Sequence, residues 1–263
     1  MKTGISTASL FVRKNTEQAM QFLNENKVQT CEVFLESYCE YSPDFIPILK
    51  KYKGELDVHS IHTLTTQFEP QLYSINERAR ADSFKLLDST MQVANAIGAR
   101  YYTFHGVARL KRTQMNIDFD RVAKYTNQII ETCNKYGVDL AYENVHWAYY
   151  NYLGFFKKLK SLAPKLKATL DVKQARQSQL DYRDLINEMG KDIVTVHLSD
   201  INSDGKMCLP GSGVTDFSEM FNRLKDVGFD GSLILEVYKD DFDSYDQLFN
   251  SLEFIKELAY KIF

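Results

Sequence analysis

Four side chains able to bind a metal ion close four apolar runs: Glu143 in VDLAYENVH, Asp171 in LKATLDV, His197 in DIVTVHLSD and Glu236 in SLILEVY. Three carboxylates and one imidazole make a hard, oxygen-rich donor set. One divalent ion suits it: Mn²⁺ or Mg²⁺ first, with Zn²⁺, Co²⁺ or Fe²⁺ also admitted by the histidine. Three carboxylates exceed the charge of a dication, and the surplus can serve proton transfer. Taken singly, Glu236 could be a solvated loop carboxylate, Asp171 a turn cap and His197 a hydrogen-bonded core histidine. Glu143 resists such a reading, because a charge that directly continues a buried strand is costly unless paired. One shared site explains all four at once.

Two earlier runs, LDVHSIH and ARYYTFHG, end with His59 and His105. Each could hydrogen-bond a substrate hydroxyl, hold a second metal ion or be a satisfied structural residue. His62 and His146 read as surface loop residues. Glu32 alternates with Cys31 and Val33, and Glu36 lies just past the same run, so one of the two is expected to face the site. Aromatic residues fall in several of the loops: Phe11, Tyr38, Tyr41, Phe68, Trp147, Tyr149 and Tyr150. Rings there could pack the loops down or wall a substrate, and Trp147, closest to Glu143, is the leading candidate for a wall.

Aiming these groups at one point requires a scaffold. Strand-like runs occur at Thr3 to Thr7, Thr30 to Leu35, Leu56 to Ser60, Ala99 to Phe104, Val138 to Tyr142, Lys167 to Leu170, Ile193 to Leu198 and Ser232 to Val237. Between them lie segments with apolar residues at helical spacing, roughly 15 to 27, 44 to 52, 76 to 97, 118 to 136, 152 to 162, 181 to 189, 216 to 227 and 243 to 261. Gly98, Gly137, Gly190 and Gly228 sit where helices should end. Asp118, Asp181, Asp216 and Asp243 sit where helices should begin. Alternation of this kind predicts βα units and a parallel sheet. Because candidate ligands end at least six of the runs, a closed (β/α)8 TIM barrel over residues 1–263 is expected rather than an open sheet. No linker or low-complexity tract divides the chain, which reads as a single α/β domain.

Composition narrows the partners. The 32 Lys and Arg against 35 Asp and Glu give a net charge of −3, which offers no global attraction to nucleic acid or an anionic membrane. Cys31, Cys39, Cys133 and Cys208 form no C-x-x-C pair. With no apolar run of about 18 residues and no leader-like start, a cytoplasmic protein with free thiols is expected. The stripe Leu248, Leu252, Ile255, Leu258, Ala259 and Ile262 could close the barrel or form a homo-oligomer contact.

The chain resembles the xylose isomerase-like barrels, the superfamily that joins sugar isomerases and epimerases, inositol-catabolism enzymes and endonuclease IV. The likeness is carried by E-N at Glu143 and Asn144, the D at Asp171, V-H-L-S-D from Val196 to Asp200 and G-x-G-x-x-D-F from Gly211 to Phe217. It implies one Mn²⁺-type ion on Glu143, Asp171, His197 and Glu236, with Glu143 and Glu236 as base and acid. It also implies a further zinc on His59, His105 and Glu143 if the endonuclease branch is followed. Three departures matter. Gln174 stands where the family's D-x-x-H has histidine, and would contact substrate there. Gly205 and Met207 replace ligands of a third zinc. Ile201, Asn202 and Ser203 fill a stretch where the epimerases carry an arginine.

The resemblance therefore implies a metal-dependent isomerase or epimerase of a small sugar, sugar phosphate or polyol ketone, working through an enediolate. Two alternatives stay open. One is an endonuclease IV-like phosphodiester hydrolase, favoured by the two histidines and the basic string Arg109, Lys111 and Arg112. The other is an inosose dehydratase-like lyase.

Overall fold

The computed structural model describes residues 1–64, 67–109 and 116–263. Lys111 and Arg112 of the basic string lie outside the described residues. Eight parallel strands close a barrel: β1 (Lys2–Ser6), β2 (Thr30–Leu35), β3 (Asp57–Thr63), β4 (Tyr101–Phe104), β5 (Asp139–Glu143), β6 (Lys167–Asp171), β7 (Ile193–Leu198) and β10 (Ser232–Leu235). A short antiparallel hairpin, β8 (Asp200–Ile201) with β9 (Met207–Cys208), follows β7. Helices α1 (Thr16–Glu25), α2 (Ile46–Lys53), α3 (Glu77–Ile97), α4 (Phe119–Asn134), α5 (Phe155–Leu162), α7 (Tyr182–Met189), α8 (Phe217–Asp226) and α9 (Tyr245–Ile262) cover the outside. A single-turn-and-a-half helix, α6 (Val172–Gln177), starts directly from β6. The chain is a TIM barrel, as the alternation predicts. No helix among the described residues is long and apolar enough to cross a membrane.

Local signals set the joints. The carboxylates of Asp118, Asp181 and Asp216 accept from the backbone N–H of Arg121, Arg183 and Glu219 at 2.9–3.0 Å, capping α4, α7 and α8. Asp243 does not cap α9. Ser244 does, in a capping box with Gln247. The apolar stripe of α9 is turned inward: Leu248, Leu252, Ile255 and Ala259 are buried, and the helix packs on β1 and α8.

Two irregularities at the closed end of the barrel decide which histidine faces the site. Register against β2 jumps from Val58 to Ser60, so His59 is the extra residue of a bulge. Register between β6 and β7 jumps similarly past Val194. The His59 Nε2 lies 3.0 Å from the Val194 carbonyl and 3.0 Å from Thr195 Oγ1, while Ser232 Oγ lies 3.0 Å from Nδ1. Burial, followed by the Arg100 charge, pushes the His59 imidazole down to about 4. A neutral ring that donates from Nε2 and accepts at Nδ1 satisfies this setting. His59 thus ties the barrel floor together, the structural role among the three open to it from the sequence, and does not reach the mouth to contact substrate or hold the zinc that the resemblance implied. After the bulge, Ser60 and His62 take the inward positions.

The V-H-L-S-D and G-x-G segments are joined by one carboxylate. Asp200 accepts from the backbone N–H groups of Ile201, Gly211, Gly213 and Thr215 at 2.8–3.2 Å. A Cβ on Gly213 would stand 2.2 Å from the Ile201 carbonyl oxygen and 2.5 Å from Asp200 Oδ1, which explains the glycine. Gly106, just past β4, has φ +77° and leaves no room for a Cβ, which would meet the Tyr142 hydroxyl oxygen at 1.7 Å. Gly106→Ala is expected to destabilise by about 2–4 kcal/mol through strain and overpacking. For a chain of this size that is a fall in Tm of roughly 4–16 °C, measured by calorimetry; an unchanged Tm would contradict the account.

Candidate metal centre

At the barrel's open end the four strand-end side chains converge. His197 Nδ1 lies 3.1 Å from Glu143 Oε1, 3.5 Å from Glu236 Oε2 and 3.7 Å from Asp171 Oδ2. Strand pairing produces this arrangement. Asp171 and His197 are register partners across β6 and β7, and Glu143 closes β5 one strand further round. Asn144 locks the ends of β5 and β6, donating to the Asp171 carbonyl at 2.8 Å and accepting from its N–H at 2.9 Å. All four residues are at least nine-tenths buried.

Below them lies Glu32, fully buried on β2. Of the two glutamates considered from the sequence, Glu32 is the one that faces the site. Its Oε2 accepts from Ser60 and Thr103 at 2.7 Å, and its Oε1 is 3.0 Å from His197 Nε2 without hydrogen-bond alignment. To one side stand His62 and His105, their Nε2 atoms 2.9 Å apart, with His105 Nε2 at 3.4 Å from Glu143 Oε2. His62 is buried, not a surface loop residue, and it occupies the place expected for His59. Buried Glu69 accepts from the His105 backbone N–H at 3.1 Å and sits 3.3 Å from its Nδ1.

Electrostatics follow from this crowding. Burial opposes charge on His197, yet the carboxylates of Glu236 and Glu32, with Asp171 and Glu143, hold its pKa well above the ordinary value. Burial lifts Glu236 to about 7 and also raises Glu143. Burial pushes Asp171 upward too, but Lys173 and His197 outweigh it and leave the carboxyl low. Glu32 is likewise held low against burial by His197 and His62.

The residues fit a divalent ion. A single ring N–H cannot serve three carboxylates, and Glu143 Oε2, Glu236 Oε2, His197 Nε2 and His62 Nδ1 are buried with no hydrogen-bond partner among the described residues. Ligand atoms of Glu143, Asp171 and His197 lie within 4.8 Å of one another, as do those of Glu32, His62, His197 and Glu236, and those of His62, His105 and Glu143. Such spacings match donors placed about 2.0–2.3 Å from a shared cation. The first and second groups meet at His197, the first and third at Glu143.

A family model described as the xylose isomerase-like TIM barrel matches residues 20–258. The chain belongs to that family. An uncharacterized protein of Methanocaldococcus jannaschii is 23% identical over 274 residues, covering 98% of this chain and 91% of its own. Among solved structures, this barrel is similar to a D-tagatose 3-epimerase-like protein (TM-score 0.77, 20% identity, 100% of this chain and 98% of that one). It is equally similar to D-psicose 3-epimerase from Clostridium cellulolyticum H10, solved with D-tagatose (0.77, 13%, 100% and 99%). The IOLI protein with a bound zinc atom also matches (0.77, 15%, 100% and 99%).

In this xylose isomerase-like barrel a cavity of about 300 Å³ opens over the cluster, lined by His62, His105, Glu143, Gln174 and Glu236. Phe11, Phe34, Trp147 and Tyr238 wall it, and the Trp147 ring sits 5.2 Å from that of His105. Phe34 and Tyr238 escaped the sequence reading, since neither falls in a loop flagged for its rings. Tyr41, Phe68 and Tyr150 are buried packing residues, Tyr149 packs on the core, and Tyr38 is exposed against Tyr41. Gln174 Oε1 accepts from His146 N and Nδ1 at 3.2 and 2.6 Å, so His146 is a half-buried partner of the mouth.

Proposed function

We propose that the protein is a divalent-metal-dependent isomerase or epimerase of a small sugar or related polyol ketone. The observation that carries this reading is the approach of the Glu143, Asp171 and Glu236 carboxylates to His197 Nδ1 within 3.1–3.7 Å, with buried oxygens of Glu143 and Glu236 that no hydrogen bond among the described residues satisfies. The sugar epimerases among the structural neighbours support it. When bound, the ion would polarise a substrate carbonyl and offset charge developing on its oxygen. Glu143 and Glu236 would exchange a proton with the carbon beside that carbonyl, one as base and the other as acid. In the metal-free site burial raises both, Glu236 to about 7, so each gives up its proton less readily than an ordinary glutamate. Asp171 and His197 complete the ligand set. Gln174 and His105 would contact substrate hydroxyls, and Trp147 would exclude water from the reacting carbons.

Incubation with Mn²⁺ and a panel of ketopentoses and ketohexoses in D₂O is expected to place deuterium on the carbon next to the carbonyl, read by NMR. Absence of exchange, together with metal-dependent loss of water from inosose, would replace this reading by the lyase. The grouping of His62, His105 and Glu143 favours a second reading, phosphodiester hydrolysis with an added zinc; that metal would use His62 where the sequence pointed to His59. Two zinc ions per chain and cleavage of abasic DNA would establish it.

Protons compete with a cation for these carboxylates. Because Glu236 is raised to about 7, affinity for Mn²⁺ should rise as pH climbs through that value. In the metal-free protein the native state is the better proton binder at Glu236. The contribution of Glu236 to stability should therefore be full below the ordinary glutamate range and be lost as pH rises through about 7, opposite in sign to those of Asp171 and Glu32, which are lost as pH falls. Titration calorimetry and Tm against pH test both; Mn²⁺ affinity that does not change with pH would contradict the first.

A further inference from the structure

Three hydroxyls from three strands hold one buried carboxylate in the middle of the barrel. Glu32, on β2, is 0% exposed. Its Oε2 accepts from Ser60 of β3 and Thr103 of β4 at 2.7 Å, and its Oε1 accepts from Ser6 of β1 at 3.4 Å. A charge taken this far from water is costly unless it is matched, and neutral hydroxyls alone do not match it. None of the proton transfers assigned to Glu143 and Glu236 uses it.

What Glu32 faces is the back of a ligand. His197 turns Nδ1 toward Glu143, Glu236 and Asp171, at 3.1–3.7 Å, and Nε2 toward Glu32 Oε1, at 3.0 Å. An ion held by Nδ1 needs that nitrogen bare, so the one proton left on the ring sits on Nε2. Nε2 is buried with no aligned hydrogen bond among the described residues. Its distance to Glu32 is already that of a hydrogen bond, and a small turn of the ring corrects an angle without moving the strand. The same oxygen is 3.6 Å from His62 Nδ1, another buried ring nitrogen that no hydrogen bond among the described residues satisfies, while His62 turns its Nε2 to His105. One carboxylate therefore backs two of the histidines that face the cluster.

We infer that Glu32 is a positioning residue for the bound ion: it accepts the Nε2 proton of His197 and so fixes the ring with Nδ1 toward the cation. The inference rests on the metal-dependent reading above and assigns a role within that site to a residue on another strand. A carboxylate behind a metal-bound histidine sets the tautomer and orientation of the ring and strengthens it as a ligand, and loss of such a carboxylate weakens metal binding about 10–100-fold.

The test uses the full chain with Mn²⁺ or Zn²⁺ alone, and no readout depends on turnover. Glu32→Gln keeps the shape of the side chain and removes its charge; titration calorimetry should show it binding either ion about 10–100-fold more weakly than the wild-type chain. Thr103→Val removes one hydroxyl that holds the carboxylate and keeps the volume of the residue. It should show a smaller loss in the same direction, and it stands in where Glu32→Gln does not fold. The tautomer is read without any variant: in the zinc-loaded wild-type chain, proton–nitrogen correlation spectra of the histidine rings should show His197 protonated on Nε2, with that proton shifted downfield by the carboxylate. In Glu32→Gln the signal should move upfield, a change that a carboxylate serving only the fold would not produce. Wild-type affinity in folded Glu32→Gln, or in Thr103→Val where Glu32→Gln does not fold, would overturn the inference. So would a loaded His197 protonated on Nδ1 or on neither nitrogen, the second of which would make Glu32 a ligand of a further ion. In those cases the wild-type chain still binds metal and the isomerase reading stands. A wild-type chain that binds neither ion overturns both, so the two failures are told apart.

Discussion

Glu236→Gln and Glu143→Gln should each lower turnover of an identified ketose by about 10²–10⁴-fold, the usual contribution of a positioned acid or base. The amide keeps the shape of the side chain and removes the proton site, so the circular dichroism spectrum and the barrel should be unchanged. Both residues are also candidate ligands, and metal content must be measured on the same samples. A variant that retains its ion and loses exchange of the substrate's carbon-bound proton isolates the acid–base role. Full activity in either variant would remove that residue from the mechanism and with it the two-glutamate proposal.

Removal of the metal is expected to have the second large effect. Chelation should abolish turnover, and restoration of Mn²⁺ should recover it. Binding should also show in stability, because three carboxylates crowd one ring nitrogen, His197 Nδ1, in the buried cluster, and a single N–H cannot pair them all. At a free ion concentration a hundred times the Kd, the gain is about 2.7 kcal/mol, or a rise in Tm of roughly 5–10 °C for a chain of this length. Scanning calorimetry with and without the ion measures it. Chelated protein that turns over at the full rate would refute the metal-dependent reading.

The scaffold was legible because its signals are local. Strand-forming runs, helical periodicity and aspartates at helix starts each act over a few residues, and the eight barrel strands fall where those signals put them. The strand-end residues Glu143, Asp171, His197 and Glu236 were legible for the same reason, a parallel barrel having only one end at which such residues can meet. His62 was not. A one-residue bulge at His59 resets the inward alternation of β3, and a bulge leaves no local mark in a run such as DVHSIHT. Glu69 was missed because it arrives from the loop after β3, carried inward by Thr63, Tyr102 and His105, contacts distant in kind from any periodic pattern. Asn144 was visible as part of E-N, but its service to the Asp171 backbone depends on two strands lying side by side.

The knot at Asp200 bears on how this barrel could change over time. With the carboxylate gripping residues 211–215, the stretch from 202 to 210 leaves and re-enters the scaffold through a fixed gate. Lengthening, shortening or exchanging that stretch would remodel the surface beside the open end while His197, three residues before the gate, keeps its place. A lineage could in this way acquire new substrate contacts by trading one loop, without having to rebuild the chemistry beneath it.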